Sequence, residues 1–322
     1  MPVWWEERSL AADASAATFT VSADTTYGDF RVGGVALVFE DQFKFEALEI
    51  DSFDSGSITF TSPLSQNYEA GKATVMPVRF AYANPNNTRE KHLLLGQSQF
   101  TFTFTTLDNV DLADAGAFGV YNGRVLLDEP NLLRGSSISE QWRGEVARLD
   151  PVAGPPLQKP RQDTNRLSSR KSFFSSTPQR LWEIRGLAHA LKGNVEPFYL
   201  PSFRPDLRVV SDIGASATSV TVANIGFTNF VTQRQPFQNL RLLLKDGTAH
   251  IREITDSAVI DDDTESIVID SAFSGLPIDV EDIKRLELVA LVRVRNDRVV
   301  FEHTRPGQAT VTMEVLTVRS DP

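Results

Sequence analysis

The chain contains 322 residues, of which 41% are hydrophobic and 23% charged, so it is long enough for two or three globular domains. It has no cysteine and only four histidines, which excludes disulfides, thiolate zinc sites, iron–sulfur clusters and cysteine nucleophiles. The formal net charge of −10 argues against a general binder of nucleic acid or of anionic membranes.

The N-terminal residues 1–10 include Glu6 and Glu7 and have no apolar core, so we expect neither a signal peptide nor a membrane anchor there. No later run approaches the roughly 20 apolar residues that a membrane helix needs. The adjacent Trp4 and Trp5 must be covered, either by the chain itself or by a neighbouring subunit.

Alternation of apolar and polar residues predicts short strands through most of the chain. In residues 99–105 phenylalanine alternates with threonine, as expected for strands that bury one face. Asn296 and Asp297 lie between two such runs and predict a hairpin turn.

One clear helix is predicted over residues 178–192. Thr177 can cap its first amides, Pro178 suits the first helical position, and Gly193 suits a left-handed turn after the last one. An apolar stripe at helical spacing indicates that the helix packs on a sheet; it comprises Leu181, Ile184, Leu187, Ala188 and Leu191. A weaker helical pattern covers residues 139–149.

Residues 150–172 are rich in proline and then in basic side chains, which predicts a solvated loop or linker. Positive charge in an acidic chain also suggests contact with an acidic partner. The candidate contact residues are Lys159, Arg161, Arg166, Arg170 and Lys171.

The same order of signals occurs twice, about 200 residues apart. Residues 35–41 match 240–246, residues 48–50 match 252–254, and residues 78–81 match 287–290. Two copies are too few for a solenoid, so we expect two small β modules that each close on themselves.

These patterns predict a mainly β fold, with a central antiparallel β-sandwich, one packed helix and two small β-barrel-like modules. The domain boundaries that follow are an N-terminal segment 1–15, module 1 at 16–87, the central sandwich at 88–210, module 2 at 211–294 and returning C-terminal strands at 295–322. Strands after both modules, such as 101–105 and 310–315, are expected to share one sheet.

Motifs that carry chemistry are absent from the sequence: it has no phosphate-binding loop, dinucleotide fingerprint, zinc-protease helix or nucleophile elbow. The acidic run Asp261 to Glu265 lacks the glycine and spacing of a calcium loop, so a solvated turn is expected. We therefore predict no catalytic residues, no cofactor and no metal site.

The stretch from Leu187 to Leu207, which includes Pro-Phe-Tyr-Leu-Pro-Ser-Phe, resembles a segment of tail structural proteins from tailed bacteriophages. The following module, with its Lys-Asp-Gly turn at 245–247, is similar to the β modules of those proteins. Residues 125–131 resemble the Leu-x-x-Pro-Asn stretch of the family, although Leu132 stands where a tryptophan would be expected.

The resemblance implies a non-enzymatic virion protein, assembled in the bacterial host cytoplasm and located at the distal tail, tail tip or baseplate. It implies a ring of identical copies, with six-fold symmetry favoured and three-fold possible, that links the tail tube to hub or fibre proteins. Neither nucleic acid nor membrane insertion is expected.

An alternative is a tail-associated protein that binds or cleaves glycans through aromatic loops of the β modules. The candidate stacking residues are Tyr27, Phe30, Phe227 and Phe230. Against this alternative, phenylalanine far outnumbers tyrosine and tryptophan, whose polar tips suit sugar platforms.

Overall fold

The computed structural model describes residues 1–83, 89–94, 97–107, 118–128, 140–143, 146–149, 157–160, 166–231 and 237–318. The fold is mainly β, as the sequence predicts. The chain divides into a first compact unit, residues 1–115, 175–189 and 302–309, and a second, residues 116–174, 190–301 and 310–322.

The first ten strands lie in the first unit. They are β1 Arg8–Ser9, β2 Thr20–Ser22, β3 Val35–Asp41, β4 Lys44–Phe53, β5 Ser57–Phe60, β6 Thr74–Val78, β7 Ala81–Ala83, β8 Arg89–Leu94, β9 Gln97–Thr101 and β10 Phe104–Thr106. A short 3₁₀ helix, Trp4–Glu6, precedes them.

The remaining strands lie wholly or mostly in the second unit. They are β11 Val120–Tyr121, β12 Arg124–Val125, β13 Glu140–Arg143, β14 Val146–Leu149, β15 Leu157–Pro160, β16 Arg166–Ser175, β17 Phe198–Pro201, β18 Ser219–Ala223, β19 Asn239–Leu244, β20 Ala249–Val259, β21 Thr264–Ile269, β22 Ile283–Arg305 and β23 Gln308–Thr317. The helices are α1 Pro178–Ala190, α2 Phe227–Phe230 and a 3₁₀ turn Val280–Asp282.

The internal repeat is present in the strand topology. In the first unit the strand order is β6-β3-β4-β5-β2, and in the second unit β22-β19-β20-β21-β18 follows the same connectivity. Both copies also have a register shift at the same place, between Ile50 and Ser52 in β4 and between Ile254 and Asp256 in β20. Such a bulge bends the strand and increases its twist, which helps a small sheet to curl.

The strand register corrects two of the sequence matches. Val35 pairs with Glu49 and Val78, while Asn239 pairs with Glu253 and Val289. Val35 is therefore equivalent to Asn239 rather than to Leu240, and Val78 to Val289 rather than to Glu287. Loops of unequal length separate the strands, and alternation alone does not fix where a gap belongs.

Each module closes on itself through the segment that precedes its first strand. In module 1 the Leu10 N–H donates to Ala73 O and the Ala11 N–H donates to Ser22 O, which joins β6 to β2. In module 2 Leu207 bridges to Leu286, and the Val210 N–H donates to Thr221 O. Closing the sheet removes exposed strand edges and gives each module its own core.

The two cores use equivalent positions of their modules. Module 1 buries Val21, Val38 and Ile58, and the equivalent residues of module 2 are Val220, Leu242 and Ile267, all at most 1% exposed. Further buried residues surround each set: Phe30, Phe60, Leu64 and Tyr68 in module 1, and Phe227, Ile269, Phe273 and Ile278 in module 2.

Helix α1 begins and ends much as predicted. The Thr177 hydroxyl accepts from the Arg180 N–H at 3.2 Å, and Gly193 has a φ of +70°. Leu181, Ile184 and Leu187 are buried, so the predicted stripe is the buried face.

Two local predictions are wrong. Residues 140–143 and 146–149 form strands β13 and β14 instead of a helix, because each pairs with a later strand, β16 and β15 respectively. The predicted hairpin at Asn296 and Asp297 lies inside the long strand β22. Both residues do adopt positive φ, +61° and +51°, so the pair kinks a continuous strand instead of reversing it.

The predicted common sheet is not formed. Strands β8 and β9 pair only with each other in their sheet, as do β7 and β10, whereas β23 lies in a nine-stranded sheet of order β13-β16-β23-β22-β19-β20-β21-β18, with β17 beside β22. Of the strands expected to make a separate central frame, β13, β16, β17 and β23 thus continue the sheet of module 2, and the others described form two-stranded sheets.

Candidate assembly surface

A two-stranded ribbon leaves the first module directly after β6. Its strands β7 and β10 are antiparallel, with Tyr82 opposite Thr105, and the Leu107 N–H extends the pairing to Phe80 O at 2.9 Å. The sequence predicted strand structure here from the alternation of phenylalanine with threonine, but it did not predict that the apolar side chains would be exposed.

The apolar side chains of this ribbon face solvent. Their exposed fractions are 72% for Phe80, 54% for Tyr82, 53% for Phe102, 47% for Phe104 and 64% for Leu107. Two strands have too little area to cover such residues themselves. None of the residues 80–83 and 102–107 is charged, in a chain whose net charge is −10. Directly opposite residues of an antiparallel pair share a face, so Phe80, Tyr82 and Leu107 lie on one face of the ribbon and Phe102 and Phe104 on the other. Exposed apolar surface of this kind marks an interaction site.

A second apolar surface lies on module 1, on the side of β3 and β4 that faces away from the core. We call this surface the outer face; it comprises Val35, Leu37, Phe39, Phe45 and Ala47. Phe39 pairs with Phe45 and Leu37 with Ala47 across β3 and β4. Phe45 is 52% exposed, and Phe43 at the adjoining turn is 84% exposed. Ala36 and Val38, which alternate with these residues, are fully buried in the core.

The equivalent face of module 2 is covered within the second unit by residues 118–128. The Tyr121 hydroxyl donates to Asn239 Oδ1 at 3.1 Å, and Arg241 Nη2 donates to Asp128 Oδ1 at 2.7 Å. Tyr121 also packs edge-on against Tyr199 with ring centroids 5.0 Å apart, and burial raises the pKa of Tyr121 to about 12. In module 2, therefore, this face is covered by the short hairpin β11–β12, which carries the aromatic residue Tyr121.

A buried ion pair lies beneath that hairpin. Arg241 Nη1 donates to Glu287 Oε2 at 3.0 Å, and both side chains are at most 2% exposed. The equivalent residues in module 1 are Leu37 and Met76, which face each other across β3 and β6. The equivalent side of module 2 is therefore polar and covered, whereas the outer face of module 1 is mainly apolar and partly open.

Trp4 and Trp5, candidate intersubunit contacts, pack around His303 in the first unit. The Trp5 ring stacks on His303 with centroids 4.7 Å apart, and Trp4 meets it edge-on at 6.2 Å. Burial and the positive charge of Arg185 lower the pKa of His303 to about 4. The chain therefore covers Trp5 in part, leaving it half-buried, while Trp4 stays 44% exposed.

The basic candidates do not form one described surface. Arg161 lies outside the described residues, Lys159 belongs to β15, and Arg166 begins β16. Arg170 is exposed on β16, but Lys171 is only 8% exposed. The predicted loop contains two strands, so neighbouring side chains alternate between faces.

Lys171 instead lines a cleft of about 220 Å³ in the second unit. The cleft lies on one face of strands β16, β17, β22 and β23, and Arg204 and Asp206 also line it. Asp206 is held in place, since its Oδ2 accepts from the Leu288 N–H at 2.8 Å and from the Ser202 hydroxyl.

The glycan-stacking candidates separate into two pairs. Phe30 is fully buried and Phe227 is 1% exposed, so neither can stack on a sugar, and this part of the prediction is wrong. Tyr27 and Phe230 are 37% and 64% exposed. Each buried residue belongs to its module core, where an aromatic in the loop after the first strand fills the barrel.

The acidic run forms the expected turn between β20 and β21. Asp261 Oδ1 accepts from the Thr264 N–H at 2.7 Å, while Glu265 turns inward and accepts from the N–H groups of Phe227 and Thr228, each at 2.9 Å. Burial alone would raise the pKa of Glu265, but these backbone hydrogen bonds outweigh it and hold the pKa below its usual value.

Within the described part of the chain, no three acidic or histidine side chains gather in a way that would hold a metal ion. Nor does any helix there have the length and apolar character to cross a membrane. Comparison with known proteins finds no matching family and no matching curated protein.

Proposed function

We propose that this protein is a non-enzymatic structural component of a bacteriophage tail that assembles with its own copies into a ring at the distal tail or baseplate. The observation that carries the proposal is the uncharged ribbon of residues 80–83 and 102–107, whose large apolar side chains are about half to three-quarters exposed. Removing such surface from water favours association at roughly 25 cal/mol per Å² of apolar area.

The resemblance of residues 187–207 to tail proteins supplies the biological setting of the proposal. A ring on a tail tube would have six-fold symmetry, and a ring on a central hub would have three-fold symmetry. The ring would connect the tube to hub or fibre proteins in the virion. Two rigid modules, each closed and with its own core, suit a part that must hold its shape while it links neighbours.

Sedimentation velocity and electron microscopy of the purified full-length chain test the proposal. We expect ring-shaped particles that increase with protein concentration, and we expect the protein in purified virions by mass spectrometry. A chain that stays monomeric at every concentration and is absent from virions would contradict both the assembly and the location.

A further inference from the structure

We propose that the outer face of module 1 binds the ribbon of a second copy of this chain. The inference deepens the proposed function and rests on it, because it names the two surfaces that would meet in the ring. The occupant is the ribbon of residues 80–83 and 102–107, which meets the surface through the face that carries Phe80, Tyr82 and Leu107, the more exposed set. The receiving surface is Val35, Leu37, Phe39, Phe45 and Ala47.

The internal repeat indicates what kind of segment covers this face. In module 2 the same face is covered by residues 118–128, which place the aromatic Tyr121 against it and hydrogen-bond to Asn239. Module 1 has the same strand order and register, and its face is apolar, with Phe45 52% exposed. The ribbon has the same form as the hairpin of module 2, two antiparallel strands with aromatic side chains.

Two copies that each have a net charge of −10 repel one another, so a contact between them is favoured where neither surface carries charge. The ribbon has no charged residue. On the outer face the exposed Glu49 lies opposite Val35, whereas the cross-strand pairs Leu37–Ala47 and Phe39–Phe45 are uncharged. The ribbon therefore contacts the part of the face that these two pairs form.

The area of the contact is modest. A large aromatic side chain buries roughly 150–250 Å² when fully covered, so the ribbon face formed by Phe80, Tyr82 and Leu107 supplies roughly 350 Å² per copy. With a similar area from the outer face, one contact buries about 700 Å², less than half of a standard interface. An isolated pair is then weak, and closure of a ring, in which every copy makes two contacts, provides the stability.

Because the two surfaces differ, the contact is heterologous: each copy offers its ribbon to one neighbour and its face to the other. Such a contact closes into a ring when a whole number of the rotations that relate neighbouring copies makes one full turn. A symmetric pairing of two ribbons would stop at a dimer.

Single substitutions test both surfaces. Phe45→Ser on the outer face and Phe80→Ser on the ribbon should each abolish rings in sedimentation and microscopy. Leu276→Ser, at a residue that is 73% exposed in the second unit, is the matched control and should assemble normally. Far-ultraviolet circular dichroism should be unchanged, since Phe45 is 52% and Phe80 72% exposed. Rings that persist in both variants would overturn the inference while leaving the proposed function in place.

Crosslinking identifies which surfaces meet. The chain has no cysteine, so Ala47→Cys and Tyr82→Cys variants each carry a single thiol for a short bis-maleimide. When the two variants carry tags of different size and are mixed, crosslinking should give mainly the mixed dimer, well above the yield with a Leu276→Cys partner. Mainly Tyr82→Cys homodimers would show ribbon-to-ribbon pairing, and yields at the control level would show that a second copy is not the occupant; either result overturns the inference. Wild-type protein that never forms rings would instead contradict the proposed function.

Discussion

His303 is stacked on Trp5, and among the described residues its Nδ1 makes no hydrogen bond. Its folded-state pKa of about 4 lies below the ordinary value of 6.5. The unfolded chain therefore binds a proton here more readily than the folded chain, and stability is lost as pH falls from about 6.5 to about 4. We predict that His303→Phe, which keeps the stack but cannot titrate, makes stability less dependent on pH across this range.

Urea unfolding followed by tryptophan fluorescence at pH 7 and pH 5 measures this effect. At pH 7 the variant should be at least as stable as the wild type, because it removes a buried polar atom. If the urea midpoint fell by the same amount from pH 7 to pH 5 in the wild type and in the variant, His303 would not titrate as its surroundings indicate.

The Arg241–Glu287 pair allows the two modules to be compared residue by residue. Glu287 pairs with both Arg241 and Arg285, so Glu287→Met removes a buried carboxylate from two cations, while Arg241 keeps the partly exposed Asp128. We expect the free energy of unfolding to fall by about 3–5 kcal/mol. The double variant Arg241→Leu with Glu287→Met installs the residues that module 1 has at these positions. It should recover part of the loss, because apolar pairs often replace buried ion pairs without cost, although Arg285 still loses Glu287.

Chemical denaturation of the wild type, the two single variants and the double variant gives the coupling free energy. Asp128 is 44% exposed and tolerates the loss of Arg241, because water can solvate its carboxylate. If the losses of the two single variants simply added in the double variant, the side chains of Arg241 and Glu287 would not be energetically coupled.

At the scale of elements, the loop that contains α2 depends on one carboxylate. Glu265, fully buried, accepts from the N–H groups of Ile225, Phe227 and Thr228 at 2.9–3.0 Å. Glu265→Ala leaves these donors without an acceptor, so we predict a loss of roughly 2–4 kcal/mol, localised to module 2. Hydrogen exchange at residues 225–231 should accelerate, while exchange in module 1 should not change.

Asp262→Ala is the matched control for this loop, since Asp262 is an exposed neighbour in the same acidic turn. It should leave exchange at residues 225–231 unchanged. Slow exchange in the Glu265→Ala variant would show that another group takes over the capping.

Elements with purely local signals were predicted well from the sequence, and those that depend on distant pairing were not. Helix α1 has its cap, its proline and its terminal glycine within a few residues, so its ends were predicted to within two positions. Residues 140–143 and 146–149 are strands because they pair with β16 and β15, which follow later in the chain. Asn296 and Asp297 signalled positive φ correctly, but the same conformation serves a turn or a kink, and only the long-range sheet decides which.

At the scale of the whole molecule, the repeat was visible in the sequence because both copies bury the same positions. The candidate surface was only half predictable. Alternation of phenylalanine and threonine at 99–105 indicates strands, yet it cannot show that β10 has a single partner, β7, in its sheet and leaves its aromatic residues exposed. Conversely, Phe30 looked like a loop aromatic and is fully buried, because barrel closure brings that loop over the core.

Salt dependence separates an apolar assembly contact from an electrostatic one. Chains with a net charge of −10 repel, and salt screens that repulsion over a Debye length of about 8 Å at physiological ionic strength. If the uncharged ribbon and outer face make the contact, raising sodium chloride from low to moderate concentration should increase the ring fraction in sedimentation velocity. If the basic residues Lys159, Arg161, Arg166 and Arg170 hold an acidic neighbour instead, the same change should dissolve rings, and exchanging these four residues for serine should abolish them at every salt concentration. We expect the first behaviour, with the four-serine variant still forming rings.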